Sequence, residues 1–347
     1  MDGKKLLSRD EFREGVFARD NRKCVICGSV GELDAHHILE RRLFSDGGYR
    51  INNGASLCHA HHLEAEMTTL TVEAIREAIG ITEAQKIIPE HLYADEVYDK
   101  WANSILPSGE RMRGELFDDP NVQKILAQGN ILSLFVKYVK YPRTYHLPWS
   151  PGITDDDRVI KSAEQFEGKR VIVTAKLDGE NSSLYGDYIH ARSRADKKHW
   201  SKSWVKNLHA SIKGDIPEGW RICGENLFAK HSIKYSGLES YFYAFSIWND
   251  KNRCLDWDDT LEWFDLFNLV PVPVLYDGLW DESLIRDIHR PVRDGNECEG
   301  YVVRLADGFH YRDFRSSVAK FVRAGHITSE NHWFHGRASE QNELRAQ

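Results

Sequence analysis

The sequence predicts an α+β chain in three parts: a small Cys/His-rich unit at residues 1–66, a helical connector at 67–140 and an antiparallel-sheet half at 141–347. Three observations carry that expectation. CVICG at 24–28 and CHAHH at 58–62 set soft ligand side chains in pairs across a short polar stretch. From Leu63 to about Lys140 apolar residues recur at helical spacing, and from Val171 onward β-branched and aromatic runs alternate with polar turns. A chain of 347 residues exceeds what one compact core usually holds, so more than one domain is expected.

In the first part, two residues separate Cys24 from Cys27, and Cys58 and His61 repeat that gap. Two such pairs suit a closed tetrahedral Zn²⁺ site whose work is structural, since a unit this short has little core of its own. His59, His61 and His62 are close enough in sequence to exchange roles at that site. The other cysteines, Cys223, Cys254 and Cys298, are scattered singly, a pattern for a metal site in a reducing compartment and not for disulfides.

Between the ligand pairs stand His36 and His37 in DAHHIL, then Asn53 before SLC. This frame, over about residues 20–63, resembles the HNH, or ββα-metal, endonuclease family. The resemblance implies that His36 and His62 hold one divalent catalytic ion, that His37 is the general base on water, and that Asn53 fixes the loop carrying His37. A histidine base works near neutral pH, and a hard cation polarises a scissile phosphate.

In the connector, Gly80 reads as a helix C-cap, Thr82-Glu83-Ala84-Gln85 as a capping box, and Pro89 and Pro120 as first-turn prolines. Ile125, Leu126, Ile131, Leu132, Leu134, Phe135 and Val139 form an apolar stripe interrupted by Gly129-Asn130. No chemistry is evident there.

The third part is organised around VIVTAKLDGENSSLY at 171–185, where a β-branched run delivers Lys176 into a polar turn with Asp178 and Gly179. A lysine at such a strand end is partly desolvated, which lowers its pKa and makes it a candidate nucleophile. Glu225 in RICGEN, Phe245 in YFYAFSIW, Glu299 in ECEGYVVR and Lys320 in SVAKFVR fall on further predicted strands, and Tyr241 and Tyr243 share the face of Phe245 by the two-residue period. A helix is expected at 256–268.

With the approach segment YPRTYHLPWSPG at 141–152, these motifs resemble the RNA ligase family of the covalent nucleotidyltransferases, over roughly residues 141–347. The resemblance implies an ATP-dependent nucleotidyltransferase domain without an OB-fold. In it Lys176 attacks the α-phosphate of ATP and holds AMP, with Asp178 and Gly179 in the nucleotide-binding turn. It further implies that Arg194 contacts phosphate, Glu225 the ribose, Phe245 the adenine ring, Glu299 a Mg²⁺ or Mn²⁺ ion and Lys320 the α-phosphate, with Arg323 as its less regular basic partner. Charge developing on phosphate oxygens calls for cations at such positions.

The net charge of −7 conceals a basic run from His190 to Lys213 interleaved with Trp200 and Trp204, which suits a nucleic-acid groove. No stretch approaches the roughly 20 apolar residues of a membrane span, and the charged start MDGKKLLSRDEF has no signal-peptide core, so an intracellular, cytoplasmic protein acting on nicked duplex or RNA ends is expected. The joint expectation is an ATP-dependent polynucleotide ligase carrying a metal-dependent endonuclease, for repair or defence. The alternatives are a capping-type nucleotidyltransferase, or a DNA-only nick ligase with a non-catalytic zinc-binding module.

Overall fold

The computed structural model describes residues 3–92, 96–155, 157–192, 199–325 and 340–346. The chain divides into two compact units, residues 1–139 and 140–347. Among the described residues no helix is long and apolar enough to cross a membrane.

The first unit opens with α1 (Arg9–Arg19), started by a capping box in which Ser8 and Glu11 satisfy each other's backbone N–H. β1 (Leu33–His37) and β2 (Gly54–Cys58) pair antiparallel, with His36 opposite Ala55, and Cys58 runs directly into α2 (His59–Glu66). The core of this unit joins Cys24, Ile38, Leu39, Leu43, Ala55 and Leu57 to Val72, Ile75, Tyr98 and Ala102. The apolar burial that supports the Cys/His stretch is therefore supplied in part by residues beyond 66.

The stretch expected to be wholly helical is mixed. It holds α3 (Val72–Ala78), β3 (Ser104–Ile105), β4 (Arg111–Met112), α4 (Pro120–Gln128) and β5 (Phe135–Val136), the three strands forming one small sheet. Gly80, at φ +70°, does follow a helix end, and Pro120 opens α4. The capping box at Thr82 and Gln85 forms but closes only a three-residue 3₁₀ turn. Pro89 starts no helix. A turn at Gly109, φ +82°, instead folds the chain between β3 and β4.

The second unit is built on two sheets. One runs in the order β14-β7-β17-β19-β6, from β6 (Tyr145–His146), β7 (Arg170–Lys176), β14 (Val274–Leu279), β17 (Gly300–Leu305) and β19 (Val318–Val322). The other runs β18-β12-β11-β10-β8-β9, from β8 (Glu180–Tyr185), β9 (Ile189–Ala191), β10 (Arg221–Asn226), β11 (Phe242–Trp248), β12 (Arg253–Cys254) and β18 (Phe309–His310), with β13 (Val270–Pro271) alongside β11. Among the described strands, pairing in these two sheets is antiparallel except for β13 with β11 and β6 with β19. Helices α5 (Ser203–Ile212) and α6 (Trp257–Leu266) pack on the larger sheet, and a short hairpin of β15 (Val292–Arg293) and β16 (Asn296–Glu297) precedes β17.

The two-residue period sorts the smaller sheet into faces. Val171, Val173, Tyr301, Val303 and Ala319 are buried together in one cluster, while Ile172 packs on the opposite side. Each such fully buried Val contributes on the order of 1.5–3 kcal/mol. That burial fixes the register, and the register assigns Thr174, Lys176 and Val302 to the other face.

Candidate functional site

Lys176 ends β7 in the smaller sheet and Glu180 begins β8 in the larger one, so the turn at 177–179 is the crossing between the sheets. Lys176 pairs with Gly300, and Lys320 pairs with Val302 on one side and His146 on the other. Lys176 Nζ lies 2.6 Å from Oε1 of Glu299, a side chain only 1% exposed. Gly300 lets β17 and β19 approach there, since a Cβ would meet the carbonyl oxygen of Phe321.

Burial is the largest influence on Lys176 and favours the neutral amine, but Glu299 and Glu225 outweigh it and raise the pKa above its ordinary value. The lowered pKa expected from sequence is thus not that of the free chain: burial was anticipated, whereas the charges of Glu225 on β10 and of Glu299 just before β17, expected at the ribose and the metal ion, were not weighed against it. Glu225 itself is pushed up to about 8, by burial first and then by Glu299 and Asp178, against the opposing charge of Lys176. Its Oε1 accepts a 3.1 Å hydrogen bond from Gly179 N–H. Lys320 is shifted down by burial and by Lys176, and its Nζ lies 3.4 Å from Asp157 Oδ1.

The turn is rigidly held. Asp178 Oδ2 accepts from Ser232 N and Ile233 N, both at 2.8 Å, and from Ser232 Oγ at 2.6 Å, so that oxygen braces the loop. At Gly179 the requirement is close approach: a Cβ would stand 2.6 Å from Asn226 O.

Phe245 is the extra residue of a β-bulge, since Gly224 pairs with Ala244 and Cys223 with Ser246. Its ring centroid lies 5.2 Å from that of Tyr141, and it is only half-buried against the cluster of Trp248, Phe309 and Phe314. The bulge keeps Phe245 on the face of Tyr241 and Tyr243 while returning Ile247 to the cluster of Phe242 and Ala244. Arg323 pairs with Glu297 at 2.5 Å. Arg194 lies outside the described residues, as do Lys197 and Lys198 of the basic run.

Asp157 and His146 were not singled out from sequence. His146 is wholly buried, its Nε2 3.3 Å from Asp157 Oδ1 and its Nδ1 2.8 Å from Ser150 Oγ. Their only sequence signal is membership of the approach segment and its flank.

In the first unit the structure sorts the adjacent histidines by helix geometry, in which consecutive side chains diverge by about 100°. Cys24, Cys27, Cys58 and His61 converge, with Cys27 Sγ–Cys58 Sγ 3.9 Å, Cys24 Sγ–His61 Nδ1 3.5 Å and Cys58 Sγ–His61 Nδ1 3.2 Å. Tetrahedral ligands about 2.3 Å from a zinc ion stand about 3.8 Å apart, so the donor set fits that ion. Ser29 first among its partners pulls the Cys27 thiol down to about 6.

His36, His62 and Glu66 form a second group. Glu66 Oε1 is 3.5 Å from His36 Nδ1 and 3.4 Å from His62 Nε2, and was missed by sequence reasoning although His62 and Glu66 stand one helical turn apart. Burial opposes ionisation of Glu66, but His36, His62 and Lys100 together hold its carboxyl far below the usual range. Burial, then Lys100, drives His36 down to about 3, leaving a neutral imidazole suited to a metal. Lys100 Nζ reaches Glu66 Oε1 at 3.2 Å and the His37 carbonyl at 3.0 Å.

His37 stacks on Phe12 at 4.5 Å, and burial lowers it to about 4. Asn53, 1% exposed, accepts from Leu39 N–H and donates to the carbonyls of Leu39 and Gly48, tying down the chain just past His37. His59 belongs to neither cluster among the described residues.

Residues 169–322 match the family model for RNA ligase, a span that runs from β7 through β19 and includes Lys176, Glu225, Phe245, Glu299 and Lys320. Among solved structures, the chain is similar to a Naegleria gruberi RNA ligase variant with ATP and Mn, at 17% identity over 55% of this chain and 57% of that one, TM-score 0.40. It is also similar to a putative ATP-dependent DNA ligase from Aquifex aeolicus, at 16% identity over 54% and 50%, TM-score 0.37. An archaeal ATP-dependent RNA ligase matches at 15% identity over 54% and 48%, TM-score 0.36. The chain thus spans about half the length of these structures. No curated protein matches it.

Proposed function

We propose that residues 140–347 form an ATP-dependent, RNA-type polynucleotide ligase that joins 5′-phosphate to 3′-hydroxyl ends through a lysyl-AMP. The observation that carries this reading is Lys176 Nζ at 2.6 Å from buried Glu299, inside a segment that matches the RNA ligase family model. Once Lys176 has lost a proton, its amine attacks the α-phosphorus of ATP; the N–P bond forms, the bond to the β-phosphate oxygen breaks, and pyrophosphate leaves. Lys320 supplies positive charge beside the same sheet face, Glu225 accepts from the ribose, and the half-buried ring of Phe245 offers a purine an apolar surface. Glu299 suits a divalent ion such as Mg²⁺ or Mn²⁺, which would supply charge neutralisation on the phosphates.

Radiolabelled ATP or GTP followed by a nicked duplex, with ribose or deoxyribose at the 3′-hydroxyl side, tests it. ATP labelling and sealing are expected; transfer of GMP to ends with no sealing would identify the capping-type alternative.

For the first unit we propose a zinc-stabilised, HNH-type nuclease. The supporting observation is the separation of candidate ligands into a Cys24, Cys27, Cys58, His61 set and a His36, His62, Glu66 set, with His37 next to His36 along β1. Hydrolysis that leaves 5′-phosphate and 3′-hydroxyl ends would make ends the ligase half joins, a pairing that fits repair or defence in the cytoplasm. Cleavage of plasmid DNA with Mg²⁺ or Mn²⁺, abolished in His37→Ala, is the expected result; zinc binding without cleavage would leave a non-catalytic module.

A further inference from the structure

The segment at 340–346 lies against the loop that braces the nucleophile's turn. Asn342, 1% exposed, accepts from Tyr235 N–H at 2.8 Å through Oδ1 and donates from Nδ2 to Leu227 O at 2.8 Å and Ala229 O at 3.4 Å. Its carbonyl accepts from Tyr241 Oη at 3.0 Å. Backbone bonds continue on both sides, from Lys230 N to Glu340 O, Asn342 N to Phe228 O, Glu343 N to Tyr235 O and Leu238 N to Glu343 O. Outside this seam, Lys230 and Lys234 pair with Glu340 at 2.9 and 2.8 Å.

The same loop then touches the Lys176 turn at both ends of Asp178: Tyr235 Oη accepts from Asp178 N–H at 3.0 Å, while Ser232 and Ile233 hold Asp178 Oδ2. It also fixes the approach to Glu299, since Ser236 and Asn296 exchange two hydrogen bonds of 2.8 and 3.0 Å. A buried side-chain amide that closes three bonds to main-chain groups of one loop fixes that loop's conformation, because each lost bond would leave a buried polar group unsatisfied.

We propose that residues 340–346 act as a strap for nucleotidyl transfer, with Asn342 as a positioning residue that sets Lys176 and Glu299 through the 227–239 loop. This rests on the ligase reading for its chemistry, but the mechanical coupling does not.

The test is Asn342→Ala in the full chain, with hydrogen exchange, thermal melting and lysyl-AMP formation measured together. Exchange is expected to rise both at 229–236 and at 177–179. At saturating ATP the rate of AMP transfer is expected to fall about tenfold or more, with KM for ATP little changed and the melting temperature lowered by only a few degrees. Exchange that rises at 229–236 alone, or an unaltered transfer rate, overturns the proposal. If Asn342→Ala does not fold, Tyr241→Phe removes two bonds to the strap, the one its hydroxyl donates to Asn342 O and the one it accepts from Gln341 Nε2, and is read the same way. If the parent chain takes no label from ATP, the ligase reading falls, and the exchange pattern still decides whether the strap holds the turn.

Discussion

Lys176 Nζ and Glu299 Oε1 lie 2.6 Å apart because Lys176 ends β7 opposite Gly300, the first residue of β17, and Glu299 immediately precedes it, so the ion pair is a product of sheet register. Removing one partner leaves a carboxylate 1% exposed without its cation. Lys176→Ala is expected to lose AMP transfer altogether and to destabilise the second unit by about 1–3 kcal/mol; Lys176→Ala combined with Glu299→Ala should regain part of that loss. Thermal melting of the single and double variants checks it.

Glu225 gives a pH signature with a defined sign. Its folded pKa is about 8 against an ordinary 4.5, so between those values the folded chain holds a proton that the unfolded chain has released. Stability from this group is therefore lost as pH rises through that window, and Glu225→Gln is expected to flatten the decline and to melt above the parent at pH about 9. Melting curves of both proteins across the range decide the matter; parallel curves would contradict it.

Gly300 has no room for a side chain against the Phe321 carbonyl. Gly300→Ala is expected to cost about 3 kcal/mol by prying β19 from β17, and to move Lys320 out of line with Lys176. The readouts are the melting temperature and the rate of AMP transfer, both of which should fall.

In the first unit, Cys58→Ser is expected to remove one equivalent of bound zinc and to lower the melting transition of that unit. Glu66→Ala should leave the zinc content intact and weaken Mg²⁺- or Mn²⁺-dependent cleavage about 10- to 100-fold. Elemental analysis and a nicking assay separate the two clusters.

Much of this was legible because local pattern and burial agreed. The β-branched run 171–174 is a buried strand as its pattern predicts, and CVICG with CHAHH do bring Cys24, Cys27, Cys58 and His61 together. What escaped depends on relations across strands and loops. The bulge at Phe245 exists only through its pairing with β10, the raised pKa of Lys176 needs two carboxylates far away in sequence, and Lys100 reaches His37 from sixty-three residues downstream. The division of His61 from His62 follows from helical rotation at α2, visible once Cys58 is known to cap that helix. Pro89 misled because a proline permits a first turn without requiring one.

The central claim is that the amine of residue 176 carries adenylate. Intact-mass and peptide mass spectrometry of the chain incubated with ATP and Mg²⁺ or Mn²⁺ measures it directly. A mass increase of one AMP, mapped to Lys176 and released by pyrophosphate, is expected; an unmodified Lys176, or AMP on another residue, would rule out a lysyl-AMP at this position.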